Sequence, residues 1–137
     1  MKTYLGLAIV TAVALAGCIT PFRPPADLAH IKLTVADSPL VSVEKAWLER
    51  KSGPLVIRGY VVRQLRADDT SNTHLDVTLY DANGAVLRQS VEHFEPQQIP
   101  AGIRRQNGSA YRVQLDPLPG NTARIEVRAH EGAHQPS

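Results

Sequence analysis

The chain has 137 residues, with 15 Lys and Arg against 13 Asp and Glu and a formal net charge of +2. One domain fits that length and two do not, and so balanced a charge lacks the basic footprint of a nucleic-acid-binding protein. A single cysteine excludes a disulfide framework, so the fold has to rest on its hydrophobic core.

In chain order, Lys2 is followed by an uncharged run from Leu5 to Ala16, 12 residues rich in Leu, Ala, Val and Ile. A helix that crosses a bilayer needs about 20 such residues. A positive start, a short apolar middle and small residues at the end form the pattern of a secretory signal. The next four positions, Leu15-Ala16-Gly17-Cys18, resemble the lipobox of bacterial lipoproteins at every position. That resemblance implies a signal peptide over 1–17, cleavage between Gly17 and Cys18, and acyl chains on the Cys18 thiol and its new amine. Several chains together make a durable anchor, because each buried methylene contributes about 0.8 kcal/mol. Ile19 stands where inner-membrane lipoproteins carry Asp, which implies attachment to the outer membrane on its periplasmic side. Loss of Lys2 with the signal leaves 14 cations against 13 anions.

Residues 18–29 hold the lipidated cysteine and a tether, since Ile19 to Asp27 contains three prolines and proline favours extended, unpaired backbone. A β domain is expected over 30–129. His30 to Asp37 alternates Ile31, Leu33 and Val35 with Lys32, Thr34 and Ala36, the pattern of a half-buried strand broken at Ser38-Pro39. Val41 to Arg50 is a second strand whose apolar phase changes between Val43 and Ala46. A bulge near Glu44-Lys45 restores the register, and a helical turn over Glu44 to Leu48 is the competing reading. Leu55 to Leu65 is apolar on both faces, as in a central or covered strand, with Gly59 marking a close backbone approach or a bend.

His74 to Tyr80 places Leu75, Val77 and Leu79 inward. Asp81-Ala82-Asn83-Gly84 turns the chain into a return strand over Ala85 to His93, with Leu87 and Val91 in phase. Phe94 to Gln106 is a long crossing connection with Ile99 as its hydrophobic plug. Tyr111, Val113 and Leu115 alternate in the next strand, DPLPGN turns, and Ala123 to Ala129 closes the domain. Residues 130–137 are small and polar and read as a flexible tail.

Short strands separated by turns, with no helical period, predict an all-β fold: an antiparallel, immunoglobulin-like β-sandwich of about seven strands, following the N-terminal signal segment. Ile57-Arg58-Gly59-Tyr60-Val61, Val77-Thr78-Leu79-Tyr80-Asp81 and Ile99-Pro100-Ala101-Gly102 resemble the FxLYD family, with Val77 where that family has phenylalanine and Ala101 inside its usual Pro-Gly. The resemblance spans roughly 55–115. It implies a small immunoglobulin-like domain of an exported prokaryotic protein, and it brings no catalytic residues.

His130-Glu131-Gly132-Ala133-His134 has the H-E-x-x-H spacing of zinc proteases. That spacing works only on a helix, which aligns both histidines beside the glutamate. Gly132 and Pro136 oppose a helix here, so a tail without metal or catalytic role is expected. A calcium loop at Asp81 lacks its remaining positions, and a hairpin turn accounts for the residues present. His30, His74 and His93 fall in or beside strands at solvent-facing or edge positions. No phosphate loop or nucleophile motif is present. The expectation is a non-enzymatic protein without cofactor, held to a membrane by Cys18 and bound to an envelope protein partner. The candidate docking face is Arg58, Tyr60, Arg112, Arg124 and Arg128, with Arg112 and the Arg124/Arg128 pair facing outward from neighbouring strands. Solvated cross-strand charge pairs are the plainer reading of those arginines. A self-associating structural envelope protein is the alternative, and metal binding through the C-terminal histidines is the more remote one.

Overall fold

The computed structural model describes residues 23–67, 69–101 and 108–132. Gly17, Cys18 and His134 lie outside the described residues. A short 3-10 helix, Ala26–Leu28, precedes seven strands: β1 (Lys32–Ala36), β2 (Val41–Glu49), β3 (Val56–Arg63), β4 (Thr73–Tyr80), β5 (Val86–Glu92), β6 (Gly108–Gln114) and β7 (Arg124–Glu131). They form a four-stranded sheet in the order β1-β7-β4-β5 and a three-stranded sheet in the order β2-β3-β6. The fold is a β-sandwich.

The first departure from expectation concerns β1. It pairs in parallel with β7, Lys32 opposite Arg124 and Ala36 opposite Arg128, whereas every other strand pair is antiparallel. Parallel neighbours cannot be joined by a tight turn, and here almost the whole domain separates them in sequence. After β1 the chain changes sheets at a corner. Ser38 Oγ accepts hydrogen bonds from the backbone N–H of Leu40 (3.2 Å) and Val41 (3.0 Å), and Asp37 Oδ1 accepts from that of Val43 at 2.8 Å. The Ser38-Pro39 break is therefore a hydrogen-bonded passage between layers.

Strand β2 carries the bulge at Glu44: Val43 pairs with Val61 and Lys45 with Tyr60, so one residue is extra. The bulge lets Val41 and Val43 before it and Leu48 after it all reach the core, where each is buried. Strand β3 is central in its sheet, but its two faces are unequally covered, with Val56 buried on the outer one and Arg58 exposed there. Ile57 and Val61 are fully buried while Tyr60 on the other side is 48% exposed. Facing them from the second sheet are Leu75, Val77 and Leu79 of β4 and Ile125, Val127 and Ala129 of β7. Each large aliphatic side chain buried this way contributes about 1.5–3 kcal/mol.

The hairpin at Asp81 forms as its residues dictate. Asp81 Oδ1 accepts from the backbone of Asn83 and Ala85, and Gly84 takes the left-handed conformation with φ 83°. The connection after β5 crosses from the four-stranded to the three-stranded sheet, with Phe94 and Ile99 buried in the core.

Several expectations are corrected. Val35 and Val91 are 44% and 45% exposed; β1 is an edge strand, and Val91 pairs with Asp76 on the outer side of β4. Leu28, expected in the tether, is buried in the core. Strand β7 continues through His130 and Glu131, paired with His74 and Thr73, so these residues are sheet and not tail. Among the described residues no helix is long and apolar enough to cross a membrane.

Candidate functional site

The five residues expected to share a docking face are divided between the two layers. Arg58 and Arg112 pair across β3 and β6 in the three-stranded sheet, while Arg124 and Arg128 lie on β7 in the other. Strands β6 and β7 are consecutive in sequence but not neighbours in space, so the expected continuity of Arg112 with Arg124 and Arg128 does not occur.

On the three-stranded sheet, strict alternation along β3 sends Arg58 and Tyr60 outward. Tyr60 lies 5.7 Å from Trp47 of β2, ring centre to ring centre, at an interplanar angle of 41°. Glu49 holds this group together. Its carboxylate is 3.6 Å from Arg58 Nε and accepts from Trp47 Nε1 at 3.4 Å. A shallow pocket bounded by Glu49, Pro54, Val56, Arg58 and Arg112 adjoins these residues. Aromatic rings and arginines around a single carboxylate form a surface suited to protein contact.

On the four-stranded sheet the arginines are used within the fold. Arg124 Nη1 and Arg128 Nε donate to the two oxygens of Glu126 at 3.2 and 3.1 Å. The Arg124 guanidinium also lies 3.7 Å from the centre of the Tyr80 ring, a cation–π geometry. These charge pairs run along β7 itself, two residues apart, rather than across strands as the plainer reading of the sequence had it; only the contact of Arg124 with Tyr80 crosses to a neighbouring strand.

The same outer face holds a group that the sequence analysis did not assemble. His74 and Asp76 stand two residues apart on β4 and so share one face, and His130 of β7 pairs directly with His74. One ligating atom from each of His74, Asp76 and His130 lies within 4.8 Å of the others. His74 Nε2 is 3.4 Å from Asp76 Oδ1, and the two imidazole centres are 5.1 Å apart. His74 and Asp76 are buried, at 6% and 7% exposure, against the expectation of a solvated His74. On β4 the outward Asp76 lies between its register partners Arg128 and Val91, and His74 lies beside His130. His30 and His93 are exposed as expected.

The H-E-x-x-H spacing is disposed differently from a protease helix. His130 and Glu131 are consecutive in a strand and project to opposite faces. Glu131 Oε1 accepts the backbone N–H of Leu40 at 3.1 Å. His130 instead joins His74 and Asp76. The signal available in the sequence was His74-Leu75-Asp76, a same-face pair on a strand; what it lacked was the register that brings in His130.

No protein-family model matches the chain, and neither a curated protein nor a solved structure matches it.

Proposed function

We propose that the chain is a bacterial envelope lipoprotein, anchored through Cys18 to the outer membrane, whose sandwich is a non-enzymatic module for binding a protein partner. The observation that carries this reading is Leu15-Ala16-Gly17-Cys18, a complete lipobox placed at the end of a 12-residue apolar run behind Lys2. The resemblance to immunoglobulin-like FxLYD domains of exported proteins belongs to the same proposal. Between Cys18 and the first core residue, Leu28, lie three prolines. At about 3 Å per extended residue the stretch from Cys18 to Pro25, before the 3-10 helix, reaches at most roughly 20 Å. Anchoring on so short a lead keeps the domain at the membrane surface and raises its effective concentration for a partner there. The surface offered is the Trp47–Tyr60 group with Arg58 and Arg112.

Fractionation of cells expressing the full chain tests the anchor. Wild type enters the membrane pellet and incorporates labelled palmitate, and Cys18→Ala does neither; membrane retention of Cys18→Ala overturns the reading. A photo-crosslinking residue in place of Tyr60 tests the face. The expected result is a discrete adduct that diminishes when Cys18 is replaced. An equal adduct from position 124, on the opposite sheet, counts against it.

A further inference from the structure

We propose that His74, Asp76 and His130 bind a divalent first-row transition-metal ion on the outer face of the four-stranded sheet. The inference goes beyond the lipoprotein reading and does not depend on it.

Around a tetrahedral zinc with bonds of about 2.0–2.1 Å, neighbouring ligand atoms stand roughly 3.3 Å apart. His74 Nε2 and Asp76 Oδ1 already stand at 3.4 Å. The His130 ligating atom lies within 4.8 Å of both, so a modest turn of one ring closes the set. His130 is the least enclosed of the three.

The backbone holds the ligands in place. His74 and Asp76 are fixed two residues apart in a central strand, and His130 is fixed opposite His74 in a strand that continues to Glu131. Sites built on paired strands are more precise than sites on loops, because little has to be ordered when the ion arrives. Burial of His74 and Asp76 lowers the local dielectric and strengthens attraction between the carboxylate and a dication.

The donor set selects the ion. Two imidazole nitrogens and one carboxylate oxygen suit zinc, copper(II), nickel or cobalt, whereas calcium and magnesium take all-oxygen sites. Three protein ligands leave a coordination position for water or another ligand, the arrangement of an open site. A shallow pocket lined by Ser71, Asn72, Thr73, His74, His93 and Gly132 adjoins the group through His74. Glu131 projects to the other side of the sheet, which removes the glutamate that would serve as base in a zinc protease. The geometry therefore favours metal holding over peptide hydrolysis.

The test is calorimetric titration of zinc into the full chain in detergent, freed of metal by chelation, with Cys18→Ser in every sample to remove the thiol as a ligand. One zinc per chain is expected. Removing a group that merely orients a ligand costs about 10–100-fold in affinity, so His130→Gln, His74→Gln and Asp76→Asn are each expected to weaken binding at least about tenfold. His134→Ala is expected to leave binding unchanged. If His74→Gln or Asp76→Asn fails to fold, the better exposed His130→Gln is decided together with a measurement on the Cys18→Ser parent. In that measurement, of the five histidines, the ring nitrogens of His74 and His130 shift in the nitrogen NMR spectrum on adding zinc. Absence of binding, unaltered binding by His130→Gln, or zinc shifts confined to His30, His93 or His134 overturns the proposal.

Discussion

Gly59 of β3 lies directly beneath the ring of Tyr111 of β6. The two residues are register partners, and a Cβ on Gly59 would overlap both the Tyr111 ring and the carbonyl oxygen of Lys45. The same carbonyl accepts the Tyr111 hydroxyl at 3.0 Å. The β2 bulge, the glycine and the tyrosine are therefore one unit: the bulge brings the Lys45 carbonyl into reach, and the missing side chain lets the ring lie flat across the strand. Gly59→Ala is expected to destabilise the domain by about 2–3 kcal/mol, because one colliding partner is backbone and the other is a buried ring. Urea unfolding measures it. The double variant Gly59→Ala/Tyr111→Leu should cost less than the sum of its singles, since the added methyl enters space the ring has left.

Burial also raises the Tyr111 phenol above its ordinary value near 10. The sign follows from linkage. The unfolded chain loses this proton near pH 10 and the folded one keeps it, so the stability is complete below pH 10 and is lost as pH rises beyond it. The expected slope is about 1.4 kcal/mol per pH unit. Phenolate absorbance at 295 nm should show one tyrosine ionising only as the domain unfolds. In Tyr111→Phe that late step is absent, and stability at neutral pH falls by about 1 kcal/mol with the lost hydrogen bond.

What the sequence revealed and what it concealed separate along a physical line. Period-2 alternation located Leu75, Val77 and Leu79; the phase change between Val43 and Ala46 located the bulge; the position of Gly84 located the hairpin. All are local consequences of backbone geometry. Pairing between distant strands is not local, and nothing in Lys32–Ala36 announces a parallel partner at Arg124–Arg128. The same limit hid the histidine group. His74 looks solvated because it is polar on the outward face of an alternating strand, yet in the sheet it and Asp76 are buried beside register partners on neighbouring strands. His130 looked like tail because the residues from it onward are small and polar. Its register with His74 is what gives it neighbours, and register is set by the whole sheet.

Thr70 fastens the crossing connection. It is fully buried, its hydroxyl donates to the Gln97 carbonyl at 2.9 Å and accepts the Ile99 N–H at 2.9 Å, and its own N–H reaches Gln98 Oε1 at 3.1 Å. Arg63 adds a bond to the Ile99 carbonyl at 3.0 Å. These contacts hold Ile99 in the core. Thr70→Val keeps the shape but leaves a buried N–H and carbonyl without the hydroxyl, and is expected to cost about 1–3 kcal/mol. Amide exchange at Ile99 should accelerate while exchange in β4 and β7 changes only as far as global stability falls. Thr70→Ser retains both bonds and should cost less than Thr70→Val. If serine and valine prove equally damaging, the methyl rather than the hydroxyl holds the connection.

Division of the arginines between two sheets makes stability and partner binding separable. Arg124 supports the fold through Glu126 and the Tyr80 ring, so Arg124→Ala is expected to lower stability by about 0.5–1 kcal/mol and to leave crosslinking from position 60 intact. Arg112 is exposed at the edge of the opposite sheet. Arg112→Glu is expected to change stability by no more than about 0.5 kcal/mol, while reversing charge on the face assigned to the partner. Thermal unfolding and crosslink yield, measured on the same two variants, should therefore move in opposite patterns. Loss of the adduct in Arg124→Ala with its retention in Arg112→Glu would transfer the docking surface to the four-stranded sheet, beside the histidine group, and would refute the Trp47–Tyr60 face as the site of contact.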